Sequence, residues 1–173
     1  MCENKPTNDN NTEERLIIYL ALEPYLAQWL MTRHEGNPVE FPRNSAENDI
    51  LEIYLSKPPI FASNNYPGEN RVPILVPCFK HKNIRYNTYL SAASRRVLAL
   101  CIRKRFSIEL WNDLFKFGNI GKRKQDIIWA WMETHGIEMN DTNWNTIAKI
   151  YMRKRNVYRQ TLRRQRQKEV KQE

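Results

Sequence analysis

Apolar residues change their spacing several times along this chain. Leu16-Ile-Ile-Tyr-Leu-Ala-Leu22 is rich in branched side chains and stops before Pro24, which predicts a strand, with a helix as the competing assignment. Pro24 then suits a first helical turn, Tyr25, Leu26, Trp29 and Leu30 recur at helical spacing up to Glu35, and Gly36 supplies a left-handed stop. Val39 to Phe41 reads as a short strand. Ser45 can cap a helix through Ser56, with Glu47 and Asp49 favouring its dipole and Ile50, Leu51, Tyr54 and Leu55 facing inward. Residues 57–70 contain Pro58-Pro59, Asn64-Asn65 and Pro67-Gly68, so they predict a loop. Arg71 to Phe79 returns to a strand pattern. Pro73 and Pro77 remove two donors from the same side of it, which predicts an edge strand.

After His81 the spacing is helical throughout. Leu90, Ala93, Val97, Leu100 and Cys101 form a stripe on a helix of about Thr88 to Arg105, with Arg95, Arg96 and Arg103 on its other side. Ser107 is placed to cap a second helix carrying Leu110, Trp111, Leu114 and Phe115 and closed by Gly118. Gly121 opens a third, about Lys122 to Thr134, apolar on two sides through Ile127, Ala130 and Trp131 and through Ile128 and Met132, as a buried helix is. His135-Gly136 ends it, and Asp141 or Thr142 caps a last segment. There Trp144, Ile147, Ala148, Tyr151, Tyr158 and Leu162 make one stripe, and Arg155 interrupts it, which predicts a break near Met152 to Arg155.

The expected fold is therefore α+β, mainly α. A loose polar tail over residues 1–12 precedes a small α+β lobe over 13–79, and a basic bundle of about four helices follows over 80–173. With 173 residues and 41% apolar content, the chain has material for one ordinary core or for two small ones of marginal size, and one unit with two unequal lobes is expected. No internal repeat is visible.

Charge sharpens this division. Residues 1–79 hold 6 Lys/Arg against 11 Asp/Glu, a balance of −5, whereas residues 80–173 hold 22 against 8, a balance of +14. Trp144 to Lys168 alone carries nine Lys/Arg and no acid. A basic region of this kind is the footprint of nucleic-acid binding, because each neutralised phosphate releases condensed counterions. The plain alternative is a solvated face that keeps the protein soluble. Three cysteines, Cys2, Cys78 and Cys101, show no repeated spacing, so a reducing, cytoplasmic setting without a disulfide framework is expected. No apolar run is long enough for a signal peptide or a membrane span.

The order helix, turn, helix beginning Ile147-Ala-Lys-Ile-Tyr151 and continuing Arg155-Asn-Val-Tyr-Arg-Gln-Thr-Leu-Arg-Arg164 resembles a three-helix helix-turn-helix DNA-binding unit over about residues 122–165. Ala148 matches the small residue at which the family's two helices cross, and Val157 matches the branched residue early in its second helix. The turn here has no glycine, and the Ala148-to-Val157 spacing is one residue shorter than the family's. The resemblance implies that the second helix enters the major groove of duplex DNA. Asn156, Arg159, Gln160 and Arg163 would then read base edges, with Arg153, Lys154, Arg155 and Arg164 on phosphates. Lys122-Arg123-Lys124 forms a second cationic cluster at a helix N-terminus, where backbone N–H groups also favour phosphate. A continuous basic helix lying along phosphates is the alternative.

Other chemistry is sparse. Trp111, Trp129, Trp131, Trp144, Tyr151 and Tyr158 could stack on bases, but their helical spacing favours a packing role. Cys78-Phe-Lys-His81 has the spacing of half a zinc site, for which Cys101 and His135 form no matching pair, so no metal site is expected. Glu109 and Asp113, one helical turn apart, could share a divalent ion, although such pairs are more often surface acids. A phosphate-cradling glycine loop, a zinc-protease histidine pair and a glycine-flanked serine are all missing, so neither catalysis nor a cofactor is expected. The expected function is a regulator or accessory protein binding nucleic acid, duplex DNA above RNA, of a kind that suits a phage or mobile element. The rival is an assembly module whose last helix docks on an acidic protein partner.

Overall fold

The computed structural model describes residues 16–62, 66–68, 70–117 and 123–169. The expected tail over 1–12, the Asn64-Asn65 turn, Gly118, Gly121 and Lys122 lie outside them. The described residues form an α+β fold, mainly α, with strands β1 (Ile17–Ala21), β2 (Val39–Glu40) and β3 (Arg71–Leu75) and helices α1 (Pro24–Arg33), α2 (Ala46–Tyr54), α3 (Ala92–Phe117), α4 (Lys124–Thr134) and α5 (Asp141–Glu169). No helix among them is long and apolar enough to cross a membrane.

The sheet order is β1-β3-β2, with β1 antiparallel to β3 and β2 parallel to it. This corrects the expectation of an edge strand, because β3 is central. The reason lies in which way its donors point. Val76 N–H bonds to the Leu16 carbonyl, so the alternation turns the even-numbered residues of β3 toward β1 and the odd-numbered ones toward β2. Proline at 73 therefore lacks a donor on the β2 side, where pairing begins only at Ile74 and ends at Leu75. A two-residue partner strand spares both prolines.

Local signals in the first half are mostly realised. Ser45 Oγ accepts from Asn48 N–H, and Asn48 Nδ2 donates to the carbonyls of Phe41 and Pro42 at 3.1 and 2.9 Å, which binds the start of α2 to β2. The inward face of α2 is narrower than expected: Leu51 and Leu55 are buried, Ile50 is half-buried and Tyr54 is exposed. Lys82 Nζ donates to the carbonyls of Ile53 and Leu55, satisfying the end of that helix. The left-handed stop after α1 falls on Glu35, with φ 48°, rather than on Gly36. Gly36 is needed for closeness instead, since a Cβ there would stand 3.0 Å from the Pro38 carbonyl oxygen.

The helical half departs further. The two helices expected on either side of Ser107 are one, α3, capped by Ser91, whose Oγ accepts from Ser94 N–H. Leu98, Ile102, Phe106, Leu110 and Leu114 are all buried at steps of four, so a single apolar face runs past Ser107 and overrides its capping preference. That face also corrects the expected stripe: Ala93, Val97 and Leu100 are exposed, and Arg95 sits half-buried with Nη1 donating to the Tyr19 carbonyl on β1. In α4, Ile128, Trp131 and Met132 are buried and Ala130 is exposed. Gly136 closes α4 with φ 64° against the side chain of Thr32 on α1.

The last correction concerns the break expected near Met152 to Arg155. α5 is continuous from Asp141 to Glu169, and Asn140, not Asp141 or Thr142, caps it through Oδ1 on Asn143 N–H at 2.8 Å. No glycine or proline interrupts the sequence, and Arg155 is accommodated half-buried at the margin of the cleft beside Tyr151 and Tyr158 instead of ending the helix. One cluster of buried side chains runs from Ile18 and Leu26 through Phe106 to Ile147 and Tyr151. Both expected lobes contribute to it.

Candidate nucleic-acid interface

The first part of α5 is anchored by the stripe. Ile147 and Tyr151 are buried, Ala148 and Trp144 are half-buried, and the Trp144 and Trp129 rings stack with centroids 6.1 Å apart. Farther along, Tyr158 meets Trp111 at 5.5 Å and Phe115 at 5.2 Å, so α3 holds α5 through aromatic contacts as far as this turn. Arg163 to Lys168 are all exposed. The helix thus leaves the core gradually, and its cations are densest from Arg153 onward.

Every candidate contact inferred from sequence, apart from Lys122, is described. Arg123 is the N-cap residue of α4 and Lys124 its first residue, both exposed. On α5, Arg153, Asn156, Arg159, Gln160, Arg163 and Arg164 are exposed, and Lys154 and Arg155 are half-buried. Arg153, Asn156, Gln160, Arg163 and Arg164 follow helical spacing, which places two amides between cations on one outward face. Lys154 projects to one side of it. Arg155 and Arg159 turn the other way, toward Lys124.

Those last three cations border a cleft of about 310 Å³ between α3, α4 and α5. Trp111, Phe115, Ile127, Tyr151 and Tyr158 form much of its wall. Apolar periodicity marks these residues as packing positions, and packing is what Tyr151 does. Phe115 and Tyr158, however, remain partly exposed beside the cations. No local signal in sequence distinguishes an aromatic in the core from one at the core's open margin.

Electrostatically, the cations of α5 lack, among the described residues, the ion pairs that three arginines of the body make. Arg33, Arg103 and Arg105 of the body each pair with a carboxylate, Glu109, Glu23 and Glu47 respectively. Among the described residues, no carboxylate lies within ion-pairing distance of Arg153, Lys154, Arg155, Arg159, Arg163 or Arg164. Such an array gains from any polyanion that replaces its counterions. No protein-family model, curated protein or solved structure matches this chain.

Proposed function

We propose that this protein binds nucleic acid, grips duplex DNA through α5, and acts as a regulator or accessory factor rather than an enzyme. The observation that carries this reading is the concentration of exposed and half-buried cations along α5 from Arg153 to Arg164, with no carboxylate in ion-pairing distance among the described residues. A 29-residue helix spans roughly 43 Å at the usual rise, enough to follow a groove well beyond the protein's own core. In this reading α5 lies in the major groove as a continuous basic helix. Asn156 and Gln160 face base edges, while Arg153, Arg163 and Arg164 take phosphates. The residues that resemble a helix-turn-helix unit still supply the recognition face, although Tyr151 to Lys154, the turn in that resemblance, is helical.

The test is a fluorescence-anisotropy titration of the full chain with a labelled duplex, a single strand and an RNA at two salt concentrations. Cutting the chain near residue 79 would part α3 from α2 and β1, on which it packs, so intact protein is required. The duplex should bind tightest, with an affinity that falls steeply as salt rises. Tighter binding to the single strand or RNA would overturn the duplex assignment. Weak, salt-insensitive binding to all three would favour the assembly module with an acidic protein partner.

A further inference from the structure

Between α3 and the end of α4, three side chains converge that the DNA reading does not use. Glu109 and Asp113 are one turn apart on α3, and His135 is the C-cap residue of α4. One ligand atom from each lies within 4.8 Å of the other two. His135 Nε2 stands 3.8 Å from a Glu109 oxygen and 3.7 Å from Asp113 Oδ2. Those separations are too long for hydrogen bonds. They are close to the roughly 3.4 Å between ligands sharing a tetrahedral ion with bonds of about 2.0–2.2 Å.

The orientation of the imidazole is an independent observation. His135 Nδ1 is 2.8 Å from the Trp131 carbonyl oxygen, which can only accept, so Nδ1 carries a proton and Nε2 is the nitrogen turned toward the two acids. The ring also stacks on Trp131, with centroids 4.0 Å apart and planes inclined by 22°. A backbone carbonyl fixing the remote nitrogen is the arrangement that holds a histidine ready for a metal. The acids are held by neighbouring donors. Trp131 Nε1 donates at 3.1 Å to Asp113 Oδ2, the oxygen that faces His135, Trp29 Nε1 donates at 3.4 Å to the Glu109 oxygen on that side, and Arg33 pairs with the other Glu109 oxygen.

The geometry points to a binding site for a divalent transition-metal ion, held by Glu109, Asp113 and His135. One imidazole and two carboxylates suit Zn²⁺, with Mn²⁺ a weaker fit, and do not suit Ca²⁺, which takes six to eight oxygens. The three side chains are 21–30% exposed, which leaves room for water in a fourth position. An ion there would tie the middle of α3 to the end of α4. Because it draws on none of the α5 cations, the site stands or falls separately from DNA binding.

The test is isothermal titration of the reduced full-length protein with Zn²⁺, followed by thermal unfolding with and without the ion. Saturable binding at one ion per chain should raise the melting temperature, by roughly 5–10 °C at a hundredfold excess over Kd. Asp113→Asn keeps an acceptor for Trp131 and removes the charged ligand, so it should weaken Zn²⁺ tenfold or more. Glu109→Gln should do the same, and Cys101→Ser should change nothing. Co²⁺ bound in place of Zn²⁺ should show no thiolate charge-transfer band. Zn²⁺ binding by Asp113→Asn and Glu109→Gln at parental strength, a thiolate band, or no binding by the parent would each overturn the site.

Discussion

Arg105 on α3 ion-pairs with Glu47 on α2 at 2.6 Å, and the Glu47 side chain is only 2% exposed. The pair joins the acidic half of the chain to the basic half. Removing Arg105 leaves a buried carboxylate without its partner, so Arg105→Ala should cost roughly 2–4 kcal/mol. Arg103 pairs with Glu23 where the two side chains are 46% and 40% exposed, and Arg103→Ala should cost under about 1 kcal/mol. Urea unfolding of both variants compares the two pairs. Equal losses would contradict the burial argument.

Phe106, 1% exposed, meets Tyr25, Trp29 and Trp131 edge-on at centroid distances of 5.2, 5.2 and 5.5 Å. It therefore holds α1, α3 and α4 to one another. Phe106→Ala should lose about 3–5 kcal/mol, and Phe106→Leu markedly less, as judged by denaturant midpoints. A small loss for Phe106→Ala would mean that the cavity collapses easily.

On α5, long cations and short amides should act differently. Arg163→Ala and Arg164→Ala should weaken binding to every duplex and lower the salt slope by about one each. Asn156→Ala or Gln160→Ala should cost about 1–3 kcal/mol on a preferred site and little elsewhere. Isotherms with selected and scrambled duplexes over a salt series separate these outcomes. Equal weakening of both duplexes by all four substitutions would leave phosphate gripping without sequence choice.

Burial, and then the neighbouring Arg33 guanidinium, hold His34 below its ordinary value of 6.5. The folded state resists a proton that the unfolded chain accepts. Its contribution to stability is therefore present above about pH 6.5 and is lost as pH falls below that value toward the lower folded-state pKa. His34→Gln should show a shallower loss of stability between about pH 6.5 and 5 in urea midpoints measured against pH. Parallel pH profiles would show that the imidazole is not responsible.

Much of the first half was legible because its signals are local. The Ser45 cap, the stop of β1 before Pro24 and the Pro24 start of α1 each need only neighbouring residues. The position of β3 was not legible, since Pro73 argues for an edge unless the partner strand is known to be two residues long. In α3, Ala93, Val97 and Leu100 offer a second apolar stripe, so two compete until packing chooses the one through Leu98, Ile102 and Phe106. The cationic face of α5 was read residue by residue, but its continuity was not. Glu109 and Asp113 announced themselves by spacing, whereas the fold alone brings His135 to them.

Arg95 gives the small sheet a boundary. The residues of β1 that do not face β3 present their carbonyls along an outer edge, and the guanidinium occupies the one at Tyr19. A further strand laid along β1 would have to dislodge a half-buried cation from the middle of the ladder it was trying to build. The side chain therefore works as a stopper against edge-to-edge growth, a duty that its place among the basic residues of the second half does not advertise.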